Sequence, residues 1–315
     1  MVKRKKVSTS SNNDTKVASI VLGLFAAAII LFFIFSKANK EPAQKKIIHP
    51  KPAFVNVSTS EPEDAYIPNE NVKPVEVVPV APIPHPYRTI PGSGGRIAII
   101  IDDWGQTTAN CKYLKDIPEP LAVSILPGLR HTKDVANCAK LNHKLTMLHL
   151  PLEAMHNYDI YPKNYIIKTT MSPDLVFQIL DADLAQLPSI EGVNNHMGSK
   201  ATEDKYLMKL IFKDIKKKKL FFVDSMTAHN SVCTWLSDEM GLAFGKRDVF
   251  LDNINTREAI IKQIMLLAQK ARHRGYAVAI GHDRHLTMQV LKEEIPLLEK
   301  QGFKFVSIKE LLKKQ

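Results

Sequence analysis

The chain has 315 residues, with 43 Lys and Arg against 32 Asp and Glu, which gives a formal net charge of +11 at pH 7. This charge is dilute, since residues 1–95 contribute 12 − 7 = +5 and residues 96–315 contribute 31 − 25 = +6. No basic stretch is interleaved with aromatic residues, so the sequence does not favour a nucleic-acid-binding protein. The three cysteines, Cys111, Cys138 and Cys233, lack the spacing of a metal site and allow at most one disulfide.

The N-terminal segment has the pattern of a membrane anchor. Residues 1–16 are polar and basic, and residues 17–36 form a run of 20 residues without a charged side chain, long enough to cross a bilayer as a helix. A cleaved signal peptide is the alternative, but the run is long for one and no small-residue cleavage site follows it. We therefore expect a single-pass protein of the inner (cytoplasmic) membrane, with residues 1–16 in the cytoplasm and the body on the periplasmic or extracellular side.

The next segment, residues 37–95, has the composition of a tether. Proline recurs throughout it and large core residues are scarce, which favours an extended, disordered linker over a packed domain. The linker ends in the flexible sequence Pro91-Gly92-Ser93-Gly94-Gly95. We therefore expect the folded domain to occupy residues 96–315.

From Arg96 onward, strand and helix patterns alternate. Residues 97–101 are an uninterrupted apolar run, as expected for a parallel strand buried on both faces. Further apolar runs occupy residues 121–126, 145–150, 190–193, 220–223, 276–280 and 303–306. Helices are predicted between most of them. The clearest are one that begins after Ser172 and one over residues 256–274. About seven parallel strands alternating with helices predict an α/β fold, either an open sheet or a barrel.

Polar residues with catalytic chemistry follow several of these strands. The first strand ends in Asp102-Asp103, and later ones run into His149, into Asn194-Asn195-His196, into Asp224 and into His282. Because the carboxyl ends of parallel strands meet at one edge of a sheet, we expect these side chains to converge on one mouth. Histidine and aspartate without cysteine suit a borderline cation such as zinc, which would keep the adjacent carboxylates ionised and support hydrolysis of an amide or ester.

Six segments together resemble the divergent polysaccharide deacetylase family 2, of the NodB-like, carbohydrate esterase 4 type superfamily. In chain order they read IIIDDWG, HLPLE, VNNHMGS, FFVDS, RDVFLDN and AIGHD, and the resemblance covers about residues 96–310. It implies a deformed (β/α) barrel and a metal-dependent deacetylase site.

The resemblance also implies a role for each polar strand end. Asp103 resembles the metal-binding aspartate, and His149 and His196 would be the imidazole ligands. Asp102 resembles the general base, and His282 the histidine that protonates the leaving amine. The chain departs from the usual pattern of the superfamily because it lacks a single H-[S/T]-x-x-H segment and takes its two ligand histidines from separate strands.

Other polar residues have more than one interpretation. Asn194 and Asn195 would either hold substrate hydroxyl groups or satisfy a turn, and Asp224 is a further candidate for substrate binding. Glu153 would be a ligand, a partner of a ligand or a helix cap. The adjacent Arg247-Asp248 would form an ion pair, either supporting the site or buried for structural reasons.

Together with the polar strand ends, this resemblance implies a metal-dependent hydrolase that removes acyl (acetyl) groups from a cell-envelope polysaccharide. The expected cofactor is a divalent metal, with zinc favoured. The expected partners are a polysaccharide or peptidoglycan-like glycan, and the membrane through the N-terminal helix. The alternative is a non-catalytic glycan-binding or scaffold protein that keeps the fold without the chemistry, and the metal content of the purified protein would separate the two.

Overall fold

The computed structural model of the protein describes residues 94–156, 163–187 and 189–312. The predicted cytoplasmic segment, membrane anchor and nearly all of the linker, residues 1–93, lie outside these described residues. Among the helices of the described ranges, none combines the length and the apolar character needed to cross a bilayer.

The described residues contain nine strands and seven α-helices, which alternate along most of the chain. The strands are β1 (Arg96–Trp104), β2 (Leu121–Ile125), β3 (Leu145–Leu152), β4 (Gly192–Met197), β5 (Phe221–Asp224), β6 (Phe244–Lys246), β7 (Val249–Phe250), β8 (Tyr276–His282) and β9 (Lys304–Phe305). The helices are α1 (Cys111–Asp116), α2 (Thr132–Leu141), α3 (Pro173–Ala185), α4 (Lys205–Lys217), α5 (Cys233–Met240), α6 (Arg257–Arg274) and α7 (His285–Lys300).

The strands form one parallel sheet in the order β6-β5-β4-β3-β2-β1-β8-β7, and β9 pairs with the beginning of β1. Within the described ranges the two end strands of this order are not paired with each other, so the sheet is a curled, incomplete barrel. This confirms the predicted parallel α/β class, and all seven predicted strands are present. The sequence missed β6 and β7, because strands of three and two residues are too short to produce a recognisable period.

The first strand is the centre of the core. Ile97, Ile99 and Ile101 pack into the large cluster that includes the helix side chains, whereas Ala98 and Ile100 belong to a second cluster on the other face of the sheet. All five are at most 2% exposed. Both faces of β1 are therefore buried, which explains why its sequence is continuously apolar instead of alternating.

Local sequence signals set the ends of two helices as predicted. The Ser172 hydroxyl accepts a hydrogen bond from the Leu175 N–H at the start of α3, at 3.4 Å, and Pro173 occupies the first turn. Thr256 caps α6 in the same way, and Gly275 ends it with a φ of 85°, a left-handed conformation that glycine adopts without a steric penalty.

Helix α3 buries an ionisable group. Asp183 is 0% exposed, and within the described part of the chain neither of its carboxylate oxygens has a hydrogen-bond partner. Burial raises the pKa of Asp183 to about 8. The folded-state pKa therefore lies above that of the unfolded chain, so this group favours folding fully at low pH, and its contribution is lost as the pH rises through the folded-state value.

We therefore expect the pH dependence of stability to change in Asp183→Asn. Relative to this variant, the wild type should lose about 1.4 kcal/mol of unfolding free energy per pH unit between roughly pH 4 and pH 8. Denaturant unfolding at several pH values measures this difference. Asp181→Asn, at an exposed position of the same helix, is the matched control and should follow the wild type. Parallel pH profiles for the wild type and Asp183→Asn would contradict this expectation.

Candidate active site

The end of β1 brings two adjacent carboxylates into different environments. The pairing of β1 with β2 shifts between Ile101 and Trp104, and Asp103 adopts a φ of 63° within this irregularity. A non-glycine residue in the left-handed region is uncommon and is often found at functional sites. Asp102 is only 2% exposed, whereas the side chain of Asp103 is 36% exposed. Asp103 lies at the carboxyl edge of the sheet, which we call the opening of the incomplete barrel.

Three side chains from three strands meet at this opening. The Oδ1 atom of Asp103 lies 3.2 Å from Nε2 of His149 and 3.1 Å from Nδ1 of His196. The two ring nitrogens are 3.2 Å apart, which completes a nearly equilateral triangle of potential ligand atoms. Atoms that bind a tetrahedral zinc ion at about 2.0–2.1 Å lie roughly 3.3 Å from each other. The triangle therefore has the size of one face of a metal site.

A hydrogen bond fixes the tautomer of His149 in this triangle. The side-chain amide of Asn194 donates to Oδ1 of Asp102 at 2.8 Å, so its oxygen must be the atom 2.9 Å from Nδ1 of His149. His149 therefore carries a proton on Nδ1, and in its neutral form it presents the lone pair of Nε2 to the opening. Oδ1 of Asp103 is buried there and accepts no well-aligned hydrogen bond from the described residues. These donors fit a divalent cation.

The side chain of Asn194 forms hydrogen bonds with other residues of the site besides His149. Its side-chain oxygen also accepts a hydrogen bond from the hydroxyl of Ser124 at 2.5 Å, and its nitrogen lies 3.2 Å from the hydroxyl of Ser225. Asn194 is 0% exposed and all of its polar groups are engaged by protein atoms. This position favours a supporting role over the substrate contact that the sequence suggested. Ser124 had no assigned role, although it is a polar residue within an apolar strand.

The charges of the site are coupled. Burial raises the pKa of Asp102. Burial has the same tendency at Asp103, but the contacts with His149 and His196 outweigh it and hold the pKa of Asp103 far below its usual range. Burial tends to lower the pKa of His149, yet the two carboxylates raise it above its ordinary value, whereas burial keeps that of His196 low. A proton on His149 would compete with a cation, so binding of a metal should release protons.

A further imidazole reaches the opening from β8. Nδ1 of His282 lies 2.8 Å from Oδ1 of Asp252, and the other oxygen of Asp252 accepts hydrogen bonds from the His282 N–H and the Thr287 hydroxyl. Nδ1 is therefore the protonated nitrogen, and Nε2 points to the opening, 3.8 Å from Oδ2 of Asp103. Burial opposes the charged form, but the carboxylate of Asp252 raises the pKa of His282. Asp252 lies in RDVFLDN, one of the six segments that resemble the family, but the sequence alone did not assign it this role.

The other two predicted substrate-binding residues face into the protein. Asn195 is 1% exposed, and its side-chain oxygen accepts a hydrogen bond from the Ser225 N–H at 2.9 Å. Asp224 is 0% exposed and accepts hydrogen bonds from the Met226 N–H at 2.8 Å and the Ser231 hydroxyl at 2.6 Å. These contacts fix the loops after β4 and β5, so both residues are placed to stabilise the site and not to contact a substrate.

Glu153 lies outside the triangle and ties two loops together. One of its carboxylate oxygens accepts hydrogen bonds from the N–H and hydroxyl of Thr169, at 2.8 and 2.7 Å, and the other accepts from the ammonium group of Lys200 at 2.9 Å. Of the three roles considered from the sequence, these contacts favour the supporting one over that of a ligand.

The expected ion pair between Arg247 and Asp248 is wrong. The guanidinium group of Arg247 donates to the backbone oxygens of Ser225 and Met226, at 2.7 and 2.9 Å. Asp248 instead pairs with Arg274, which comes from the end of α6. Both residues lie in the short connection between β6 and β7, where different partners hold the two charges apart.

Comparison with known proteins shows the family to which the chain belongs. A model of the divergent polysaccharide deacetylase family matches residues 99–312. The uncharacterized protein YibQ of Escherichia coli K12 is 30% identical over 205 residues, and the match covers 65% of this chain and 64% of YibQ. An uncharacterized protein of Haemophilus influenzae Rd is 29% identical over 206 residues, covering 65% of this chain and 73% of that protein.

The fold also has a solved counterpart. The crystal structure of the uncharacterized protein ATU2773 from Agrobacterium tumefaciens C58 superposes with a TM-score of 0.65 and 19% sequence identity, covering 70% of this chain and 90% of that one. The family match runs from within β1 to the end of the described residues, and it includes every residue of the triangle. The chain belongs to the divergent polysaccharide deacetylase family.

Proposed function

We propose that this protein is a metal-dependent hydrolase that removes acyl (acetyl) groups from a cell-envelope polysaccharide. The observation that carries the proposal is the triangle of Asp103, His149 and His196 beside the imidazole of His282. Membership of a polysaccharide deacetylase family supports a glycan as the substrate class. The apolar run of residues 17–36 supports a single membrane anchor, with the barrel on the periplasmic or extracellular side where such glycans lie.

Zinc is the cation that this donor set favours, because it consists of two imidazole nitrogens and one carboxylate oxygen without a thiolate. When bound, the cation would supply Lewis acidity, which polarises an acyl carbonyl and makes water more acidic. Asp103, His149 and His196 would hold it. The hydrogen bond from His149 to Asn194 fixes the ring orientation in advance, as partners of metal-binding histidines commonly do.

Asp102 is placed to accept a proton from water at this site. One of its oxygens accepts the hydrogen bond from Asn194, and the other lies 3.7 Å from Nε2 of His149, at the edge of the triangle. Burial raises the pKa of Asp102, which makes its carboxylate a stronger base than that of an exposed aspartate.

His282 is placed to donate a proton to the departing nitrogen. Its Nδ1–H is held by Asp252, so the proton that it can transfer is the one on Nε2, which faces the opening. As the bond between the acyl carbon and the nitrogen breaks, the nitrogen takes this proton and leaves as a neutral amine. The raised pKa of His282 keeps the imidazole protonated, as a general acid requires, to a higher pH than an exposed histidine.

The metal site predicts a ligand-dependent gain in stability. Zinc at a hundredfold excess over its dissociation constant should stabilise the wild type by about 2.7 kcal/mol. Asp103→Ala, His149→Ala and His196→Ala should each lose most of this gain, because no two of these side chains complete the site alone. Metal analysis after dialysis and denaturant unfolding with and without zinc provide the measurement.

The exposed His273 on α6 offers a matched control, since His273→Ala should bind zinc like the wild type. If the wild type unfolds identically with and without zinc, cobalt or nickel, the metal-dependent mechanism is wrong. The non-catalytic glycan-binding or scaffold alternative would then be favoured.

Removal of the proposed general acid should affect turnover and leave metal binding intact. We expect His282→Ala to reduce the rate of deacetylation of an N-acetylated amino-sugar oligosaccharide by about 10² to 10⁴. Its zinc content should equal that of the wild type. Loss of zinc from this variant would instead make His282 a ligand.

The pairing of Asp252 with His282 predicts a shift in the pH–rate profile. Activity should fall as the pH rises above the pKa of His282, because the acid then loses its proton. In Asp252→Asn the pKa of His282 loses the support of the carboxylate, so this alkaline limb should move to lower pH. An unchanged alkaline limb in this variant would assign the proton donor to another group.

A further inference from the structure

Two of the three thiols of this chain lie against each other. Cys111 is the first residue of α1 and Cys138 lies in α2, and both side chains are half-buried. The Sγ atom of Cys138 is 3.7 Å from the backbone oxygen of Cys111, to which it donates a weak hydrogen bond. Cys233, by contrast, is 0% exposed on α5.

The neighbouring thiol also affects the acidity of Cys111. Burial and, next, the hydrogen bond with the thiol of Cys138 raise the pKa of Cys111 to about 12. A disulfide has a bond of about 2.05 Å between its sulfurs. The contact of the Cys138 thiol with the Cys111 backbone already places the two residues side by side, so forming this bond requires a closer approach of the two sulfurs.

We propose that Cys111 and Cys138 form a reversible disulfide that joins the start of α1 to α2. The co-reactant is a disulfide oxidant such as oxidised glutathione. One cysteine, as its thiolate, attacks a sulfur of the oxidant, so a mixed disulfide forms and one glutathione thiolate leaves. The second cysteine then attacks the protein sulfur of the mixed disulfide and displaces the other glutathione. The protein loses two protons and two electrons, and both appear in two molecules of reduced glutathione.

The disulfide would fix one wall of the opening. Asn110 directly precedes Cys111, and its side-chain amide donates to the carboxylate of Asp283 at 2.7 Å. The Asp283 N–H donates in turn to the backbone oxygen of Asp102 at 2.9 Å. The cross-link would therefore restrain the corner between β1 and α1, which contacts the loop after His282. This inference is independent of the catalytic activity proposed above.

Thiol counting on the full-length chain tests the proposal. The reduced wild type should show three free thiols, matching its three cysteines, and only one after incubation with oxidised glutathione under native conditions. Peptide mapping should then identify a link between Cys111 and Cys138. The link closes a loop with a sequence separation of 27 residues, so oxidation should raise the melting temperature by at least about 5 °C, and dithiothreitol should reverse the shift.

Single substitutions separate the pair from the third thiol. Cys233→Ala should still form the link, and its free thiols should fall from two to none. Cys111→Ser and Cys138→Ser should each remain unlinked and show no rise in melting temperature on oxidation. The proposal is overturned if the wild type keeps all three thiols, if it retains glutathione as a stable mixed disulfide, or if the mapped link involves Cys233.

Discussion

The side-chain amide of Asn194 is the contact on which the site depends. Its oxygen accepts hydrogen bonds from Ser124 on β2 and His149 on β3, and its nitrogen donates to Asp102 on β1 and contacts Ser225 after β5. A single residue of β4 thus connects four other segments at the carboxyl edge of the sheet. Because Asn194 is 0% exposed, loss of the Asp102 acceptor would leave a buried amide N–H unpaired, at a cost of about 1–3 kcal/mol.

This network gives chemically similar residues different properties. Asp102 and Asp103 are neighbours in the sequence, yet burial raises the pKa of Asp102 whereas contact with two imidazoles holds that of Asp103 low. The first is therefore suited to take up a proton and the second to remain an anion that holds a cation. Among the histidines, His149 is backed by an amide oxygen and His282 by a carboxylate. The neutral partner suits His149 to the proposed role of metal ligand, and the charged partner suits His282 to the proposed role of proton donor.

Much of the fold is legible in the sequence because its signals are local. The continuous apolar run of β1 and the caps of α3 and α6 act within a few residues, and the structure confirms them. The convergence of polar strand ends follows from parallel topology, and it is observed for Asp103, His149, His196 and His282 but not for Asn195 and Asp224, which face into the protein. The sequence failed where a role depends on a distant partner, since the contact of Ser124 with Asn194 spans 70 residues and that of Thr287 with Asp252 spans 35.

One error has a specific cause. The apolar pattern ends β4 at residue 193, but the strand continues through Met197, so Asn194 and Asn195 are strand residues and not part of a turn. A strand can accept such polar residues when neighbouring strands supply their hydrogen bonds, as Ser124 and His149 do for Asn194. Hydrophobicity alone cannot reveal this, because the partners are set by the register between β3 and β4.

Anomalous diffraction tests most directly whether Asp103, His149 and His196 bind one divalent cation. Crystals of the protein grown with zinc, with data collected on both sides of the zinc absorption edge, should give a single strong anomalous peak at this opening. It should lie about 2.0–2.2 Å from Oδ1 of Asp103, Nε2 of His149 and Nδ1 of His196. Crystals at saturating zinc with no peak there, or with a peak bound only by other residues, would contradict this proposed site.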